Sequence, residues 1–143
     1  MTRNPRRSRC GAAAGARCAG SGRPGVLSIA APSHADPAEH GYTIEENVAA
    51  GVRVYLDCLK RGIPAFSPHL GGAFPSAWSE VPWETWLDYD LRVIDRCTHV
   101  LMLPRWETSD GAVKERAYAE QIGRPVLMSV DDLQAACEAQ GPQ

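Results

Sequence analysis

The sequence predicts an α/β domain built on a small, doubly wound parallel sheet of about four to five strands, with helices on both faces. Two observations support this fold class: short apolar runs of strand length recur along the chain, and amphipathic helical stretches separate them. Strands that alternate with helices imply right-handed βαβ units and therefore a parallel sheet. The length of 143 residues suits a single domain.

Residues 1–25 differ in composition from the rest of the chain. They hold six arginines and no acidic residue, whereas residues 26–143 carry an excess of acids. The segment offers almost nothing to bury, so we expect a disordered basic tail followed by one domain over residues 26–143. A basic tail can bind nucleic acid, act as a transit peptide or be inert. The acidic body argues against nucleic acid as a partner, since sequence-independent binding relies on clustered Lys and Arg.

The first half of the body predicts a strand, a helix and a second strand. Residues 26–32, VLSIAAP, form a short apolar run stopped by proline, which is typical of a buried strand. Thr43 is placed to cap a helix whose apolar side chains recur every three or four residues up to Gly62. Residues 63–68, IPAFSP, predict the next strand, and the Gly- and Pro-rich residues 69–82 predict a long loop.

The second half repeats this alternation. The pattern predicts a helix over 83–97, a strand over 99–104, a helix from about Ala112 to Ile122, a strand over 125–130 and a short last helix opened by Asp131. The arrangement is Rossmann-like, and in such sheets a ligand lies beyond the carboxyl ends of the strands. We therefore expect the loops that begin at Pro32, Pro68 and Pro104 to line the site.

Composition argues against a metal centre and a membrane span. No apolar run approaches the ~18–20 residues that cross a bilayer, so we expect a soluble protein. The five cysteines are scattered and show no CxxC pair and no His-rich spacing, which argues against a zinc site and against a disulfide framework. Cys58 and Cys97 fall inside apolar segments, as free thiols do, so a reduced cytoplasmic setting is expected.

The run after the third predicted strand carries the most informative polar residues. Ser109 and Gly111 stand at the mouth of a helix, where free backbone N–H groups and the helix dipole favour an anion such as phosphate. Glu115, four residues past Gly111, can point back over this mouth because helical side chains lean toward the N-terminus. The alternative is that Ser109 or Asp110 simply caps the helix and that Glu115 is solvated.

A glycosidic reaction needs a second carboxylate, and the preceding helix offers Asp88, Asp90 and Asp95. Asp88 and Asp90 are two residues apart, so only one of them can face the site. The alternative for each aspartate is that it is an exposed charge on an amphipathic helix, with no role in the site. His69, on the loop after the second strand, could contact a base or sugar, and Trp106, beside the anion loop, could stack on a base.

Several short motifs follow one another along the body: SIAAP, FSP after the first helix, a Trp-containing loop, DxDL, a strand ending in LPxW, SxGxxxE and GRPV. Their order resembles the nucleoside 2-deoxyribosyltransferase-like superfamily, which includes deoxyribosyltransferases and deoxynucleotide N-hydrolases. The resemblance is closest to small members from phages and bacteria, and it covers roughly residues 27–130.

The resemblance implies a role for each matching residue. Glu115 would be the nucleophile that forms a covalent glycosyl-enzyme intermediate, and Asp90 would assist the base or its departure. Ser109 and Gly111 would bind the 5′ end of the sugar or its phosphate. The pocket would also be lined by residues of the first strand and the loop after it: Ser28, Ala31 and Pro32.

The resemblance also implies an activity, namely cleavage or transfer at the N-glycosidic bond of a (deoxy)nucleoside or nucleotide. No metal or cofactor would be needed, and the protein would be a homo-oligomer of two or more subunits. Ser28 stands where the family often has a tyrosine that orients the glutamate. Because that tyrosine is missing, the alternative is an inactive module of the same fold that binds a nucleotide or nucleotide sugar.

Overall fold

The computed structural model describes residues 27–30, 41, 43–68, 70 and 80–139. These residues form four strands: β1 (Leu27–Ala30), β2 (Ala65–Phe66), β3 (His99–Met102) and β4 (Val126–Leu127). They also form four helices: α1 (Ile44–Lys60), α2 (Trp83–Ile94), α3 (Asp110–Gln121) and α4 (Val130–Ala139). A 3-10 turn, Trp106–Thr108, precedes α3. The predicted basic tail, residues 1–25, lies outside the described residues, so its disorder stays a prediction.

Helices dominate these residues, and the predicted doubly wound sheet of four to five strands is wrong. The helices are 17, 12, 12 and 10 residues long. Only β1 and β3 reach four residues, and they form a two-stranded parallel centre, while β2 and β4 add two residues each at its sides. Prolines limit the length of β2. Pro64 and Pro68 lie on either side of it, and proline has no N–H to donate to a neighbouring strand.

All strand pairs in the described sheet are parallel, in the order β2-β1-β3-β4. In the central pair Leu27 lies opposite His99, and Ala30 lies opposite Met102. The carboxyl ends of the strands therefore lie at one edge, which we call the carboxyl edge. Each helix follows a strand in the chain, so each helix begins on the side of this edge.

The predicted start and end of α1 are confirmed. Thr43 Oγ1 accepts the backbone N–H of Glu46 at 3.2 Å, and the Glu46 carboxylate accepts the N–H of Thr43 at 2.8 Å. This reciprocal capping box satisfies two N–H groups that have no partner within the helix. The helix ends at Lys60, and Gly62, with φ of 72°, takes the left-handed conformation that commonly follows a helix.

Two other helix boundaries differ from the prediction. Helix α2 ends at Ile94, earlier than predicted, and α4 is capped by Ser129 rather than opened by Asp131. Ser129 Oγ accepts the N–H of Asp132 at 3.0 Å and donates to its carboxylate at 2.7 Å. Asp131 instead pairs with Arg61 at 2.7 Å, which ties the end of α1 to α4.

Two apolar clusters flank β3, because successive side chains of a strand point to opposite faces. The cluster beneath α1 and α4 consists of Cys58, Ile63, Leu101, Leu103, Leu133 and Cys137. The cluster beneath α2 and α3 consists of Ile94, Val100, Met102, Ala112 and Ala119. The second cluster holds α2 and α3 against the sheet and so positions the candidate site.

Cys58 and Cys97 are free thiols, and both are buried. Burial raises the pKa of Cys58 to about 11 and that of Cys97 to about 12, so both thiols stay protonated at neutral pH. None of the helices in the described part of the chain combines the length and the apolar character needed to cross a membrane.

Candidate functional site

Helices α2 and α3 begin side by side at the carboxyl edge. A Cβ atom built on Gly111 would lie 4.0 Å from Cζ2 of Trp83 and 3.7 Å from Oγ of Ser109. The ammonium nitrogen of Lys114 lies 4.6 Å from the centre of the Trp83 ring. The first residue of α2 thus forms one wall of the mouth of α3, and glycine at position 111 keeps the space between the two helix ends open.

Glu115 is buried on α3, with 6% of its surface exposed. It shares a stripe of the helix with Ala112 and Ala119, which are also buried. Its Oε2 atom is buried and has no hydrogen-bond partner in the part of the chain that the structure describes. The alternative interpretation of Glu115 as a solvated helix residue is therefore wrong.

Glu115 and Asp90 form a pair of carboxyl groups that repel each other. Burial, and to a smaller extent the charge on Asp90, raises the pKa of Glu115 to about 8. Burial raises the pKa of Asp90 to about 7. Burial therefore opposes ionisation of both groups, and the doubly charged state of the pair is disfavoured at neutral pH.

The other two aspartates expected near the site have different partners. Asp88 is exposed and pairs with Arg92 at 2.8 Å, one turn along α2. Asp95 accepts a hydrogen bond from the Tyr118 hydroxyl at 2.6 Å. Asp88 and Asp90 thus face different ways, as their spacing predicted, and Asp90 is the aspartate that interacts with Glu115.

Ser109 is the N-cap of α3. Its Oγ accepts the backbone N–H of Ala112 at 3.3 Å, and its extended backbone conformation lies outside the helix. The capping interpretation is therefore confirmed for Ser109. A capping hydroxyl keeps its own proton for donation, and the first N–H groups of a helix have no partner within it. Binding of an anion at this mouth is compatible with the cap and stays a prediction.

Trp106 is covered by protein on one face. The guanidinium carbon of Arg116 lies 4.4 Å from the centre of the Trp106 ring, and the ring packs against the apolar cluster beneath α2 and α3. Arg116 is held in turn by Glu120 at 2.9 Å. A base would have to displace Arg116 to stack on that face, so stacking on Trp106 also stays a prediction.

The remaining predicted site residues lie on or after the first two strands. Ser28 belongs to β1, where its backbone is in register with Phe66 and Val100. The other three lie outside the described residues, and their roles stay predictions: Ala31, Pro32 and His69. Among the residues that are described, no group of three or more His, Cys, Asp or Glu side chains could hold a metal ion.

Sequence reasoning missed several buried polar groups. Asn47 in α1 and Ser67 directly after β2 are each 2% exposed, and within the described ranges Asn47 Nδ2 and Ser67 Oγ have no hydrogen-bond partner. Trp86 Nε1 in α2 is also a buried atom without a hydrogen-bond partner in the described ranges. Arg105 follows β3 with a left-handed φ of 69° and donates to Asn47 Oδ1 at 3.3 Å. One signal was available, since Asn47 shares the buried side of α1 with Cys58.

A protein family matches the part of the chain that carries the candidate site. Its description is "Domain of unknown function (DUF4406)", and its sequence model matches residues 59–128. That stretch includes Asp90, Ser109, Gly111 and Glu115. No curated protein and no solved structure matches the chain. The match therefore covers these four residues but not Ser28, Ala31 and Pro32, and it names no activity.

Proposed function

We propose that the protein cleaves or transfers the N-glycosidic bond of a (deoxy)nucleoside or nucleotide. The observation that carries this proposal is the pair Glu115 and Asp90, two carboxyl groups on adjacent helices whose pKa values are both raised. Glycosidic chemistry uses two carboxyl groups in different protonation states, one as nucleophile and one as acid. The resemblance to the nucleoside 2-deoxyribosyltransferase-like superfamily implies catalytic roles for the same two residues.

The proton shared by the pair gives each residue its role. Glu115 passes its proton to the Asp90 carboxylate and becomes a carboxylate itself. Glu115 then attacks the anomeric carbon, the C–N bond breaks with its electron pair on the base nitrogen, and Asp90 gives its proton to that nitrogen. Water or a second base displaces Glu115 from the sugar and loses a proton to Asp90, and return of that proton from Asp90 to Glu115 restores the starting state.

The mouth of α3 would hold the other end of the sugar. Ser109 and Gly111 stand at the start of the helix that carries Glu115, and the positive end of the helix dipole favours a 5′-phosphate or a 5′-hydroxyl oxygen there. Binding at this end would fix the anomeric carbon relative to the carboxyl pair, and such positioning is a large part of the rate that an enzyme provides.

The test is release of free base by the full chain. Deoxynucleosides and their 5′-monophosphates are incubated with the protein, with and without a second base as acceptor, and the products are separated by chromatography. We expect base release from at least one substrate, and a loss of about 1000-fold or more in Glu115→Gln. Glu138→Gln, the same change at an exposed position of α4, is the matched control. No release by the unaltered chain, or equal release by Glu115→Gln, would contradict the proposal.

A second candidate is a module that binds a nucleotide or nucleotide sugar without chemistry. It is favoured by the state of Glu115, which is neutral at neutral pH and whose Oε2 atom has no orienting partner in the described part of the chain. Calorimetric titration with nucleoside monophosphates separates the two candidates. Saturable binding without base release after long incubation supports the module, whereas binding followed by release supports the enzyme.

We further propose a cytoplasmic homo-oligomer. Buried free thiols at Cys58 and Cys97 suit a reducing compartment, whereas the disulfide bond of Cys137 counts against it. Apolar side chains at the surface, such as Leu56 at 46% and Tyr89 at 51% exposure, offer area for contact with a second copy. Light scattering of the purified chain tests for the oligomer. We expect the mass of two or more subunits, and the mass of a monomer at micromolar concentration would contradict the proposal.

A further inference from the structure

The indole N–H of Trp86 is a buried donor without an acceptor in the described part of the chain. An indole nitrogen can only donate, and more than nine in ten buried polar groups in proteins find a partner. A buried donor left without an acceptor is destabilising. Such a group is therefore a place where a bound molecule can supply the missing acceptor.

Trp86 lies one helical turn before Asp90 on α2. Side chains four residues apart share a face of a helix, and helical side chains lean toward the N-terminus, so Asp90 leans toward Trp86. Asp90 in turn interacts with Glu115 across the two helices. Trp86 and Asp90 thus lie on one face of α2, with Trp86 nearer to the start of the helix at the carboxyl edge.

We propose that the Trp86 N–H donates a hydrogen bond to an acceptor atom of the departing base, a carbonyl oxygen or a ring nitrogen. When the C–N bond breaks, electron density moves onto the base, and a donor aimed at such an acceptor is stronger in the transition state than in the ground state. Trp86 and Asp90 then act on different atoms of one leaving group. This inference rests on the proposed function and assigns the base-binding part of the same site.

Two measurements test it separately. In the first, ¹⁵N-labelled protein is titrated with the free bases uracil, cytosine, adenine and hypoxanthine while the indole N–H resonances are followed. The Trp86 resonance is identified as the one absent from Trp86→Phe. We expect at least one base to shift that resonance downfield, as a new acceptor does. If a base binds without moving it, or if none of the four binds, the inference is overturned.

The second measurement is turnover of a nucleoside by Trp86→Phe. We expect kcat to fall about 10-fold to 100-fold, the worth of a hydrogen bond to a charged group, with a smaller change in KM. Tyr89→Phe is the matched control, because it removes a hydroxyl from a half-exposed ring on the same helix. Equal kcat in the two variants would overturn the inference while leaving the proposed function intact. Absence of turnover in the unaltered chain would overturn the proposed function, and the titration would still decide the role of Trp86.

Discussion

Asp90 of α2 lies close enough to Glu115 of α3 for its charge to oppose ionisation of Glu115, and burial raises the pKa of both carboxyl groups. Such an arrangement is unfavourable for folding, because no basic side chain in the described part of the chain lowers the pKa of either group. Strongly shifted groups of this kind cluster at functional sites, where their proton is part of the reaction. The pair is therefore the feature from which the functional account is built.

Stability should fall as pH rises from about 5 to 8. The pKa of Glu115 is about 8 in the folded chain and 4.5 ordinarily, so the folded state binds more protons between these values and the free energy of unfolding declines with rising pH. Glu115→Gln mimics the neutral form and lacks this decline. In urea unfolding, we expect the variant to gain at least about 1.4 kcal/mol over the unaltered chain between pH 5 and pH 8, the worth of one pKa unit. Parallel curves of unfolding free energy against pH would show that folding does not raise the pKa of Glu115.

Asp90→Asn should lower the pKa of Glu115, since it removes the like charge, while burial keeps the pKa above its ordinary value. Carboxyl ¹³C resonances of labelled glutamate, followed against pH, report this change directly. Base release should also fall by about 100-fold or more, because the leaving base loses its acid.

The matched control for that change is Asp88→Asn on the same helix. It breaks an exposed pair with Arg92, which is worth at most about 0.5 kcal/mol, and it should leave both base release and the Glu115 titration unchanged. If the two asparagine variants behave alike, Asp90 has no special role.

Ser109 should contribute to stability as a cap, whatever its ligand role. Ser109→Ala removes the acceptor of the Ala112 N–H and should cost about 1 kcal/mol, whereas Ser109→Gly should cost only a few tenths. Urea unfolding of the two variants at one pH provides the comparison. Equal losses would mean that the hydroxyl does not cap α3.

Cys58 and Cys97 should resist alkylation in the native state. Burial raises the pKa of both thiols, to about 11 and about 12, and only the thiolate reacts. Iodoacetamide at pH 7.5 followed by peptide mass analysis should find both unmodified without denaturant and both modified in it. Rapid native modification of either would show that its segment opens readily.

Local signals in the sequence were sufficient for some features and insufficient for others. Thr43 and Gly62 delimit α1 because capping depends on neighbouring residues alone. Strand length depends on the partner strand, so the apolar run over 63–68 predicted six residues where only Ala65 and Phe66 pair. Pro68 closes the predicted strand, whereas Pro64 lies inside it and shortens the strand that forms.

The candidate site, like the fold, could be predicted from the sequence only in part. Spacing placed Glu115 near the mouth of α3 and separated Asp90 from Asp88. It did not reveal that Glu115 is buried, because the residues that cover it come from other elements. The unpartnered nitrogen of Trp86 was equally hidden, since a tryptophan on an amphipathic helix is indistinguishable from a packing residue until its neighbours are known.

The most direct test of the central claim is the mass of the protein during turnover. Full chain mixed with a deoxynucleoside, quenched in acid within seconds and digested, should contain a peptide spanning Glu115 that is heavier by one deoxyribosyl group. The adduct should be absent from Glu115→Gln. Base release without any adduct on that peptide, at the same rate in Glu115→Gln, would contradict the account.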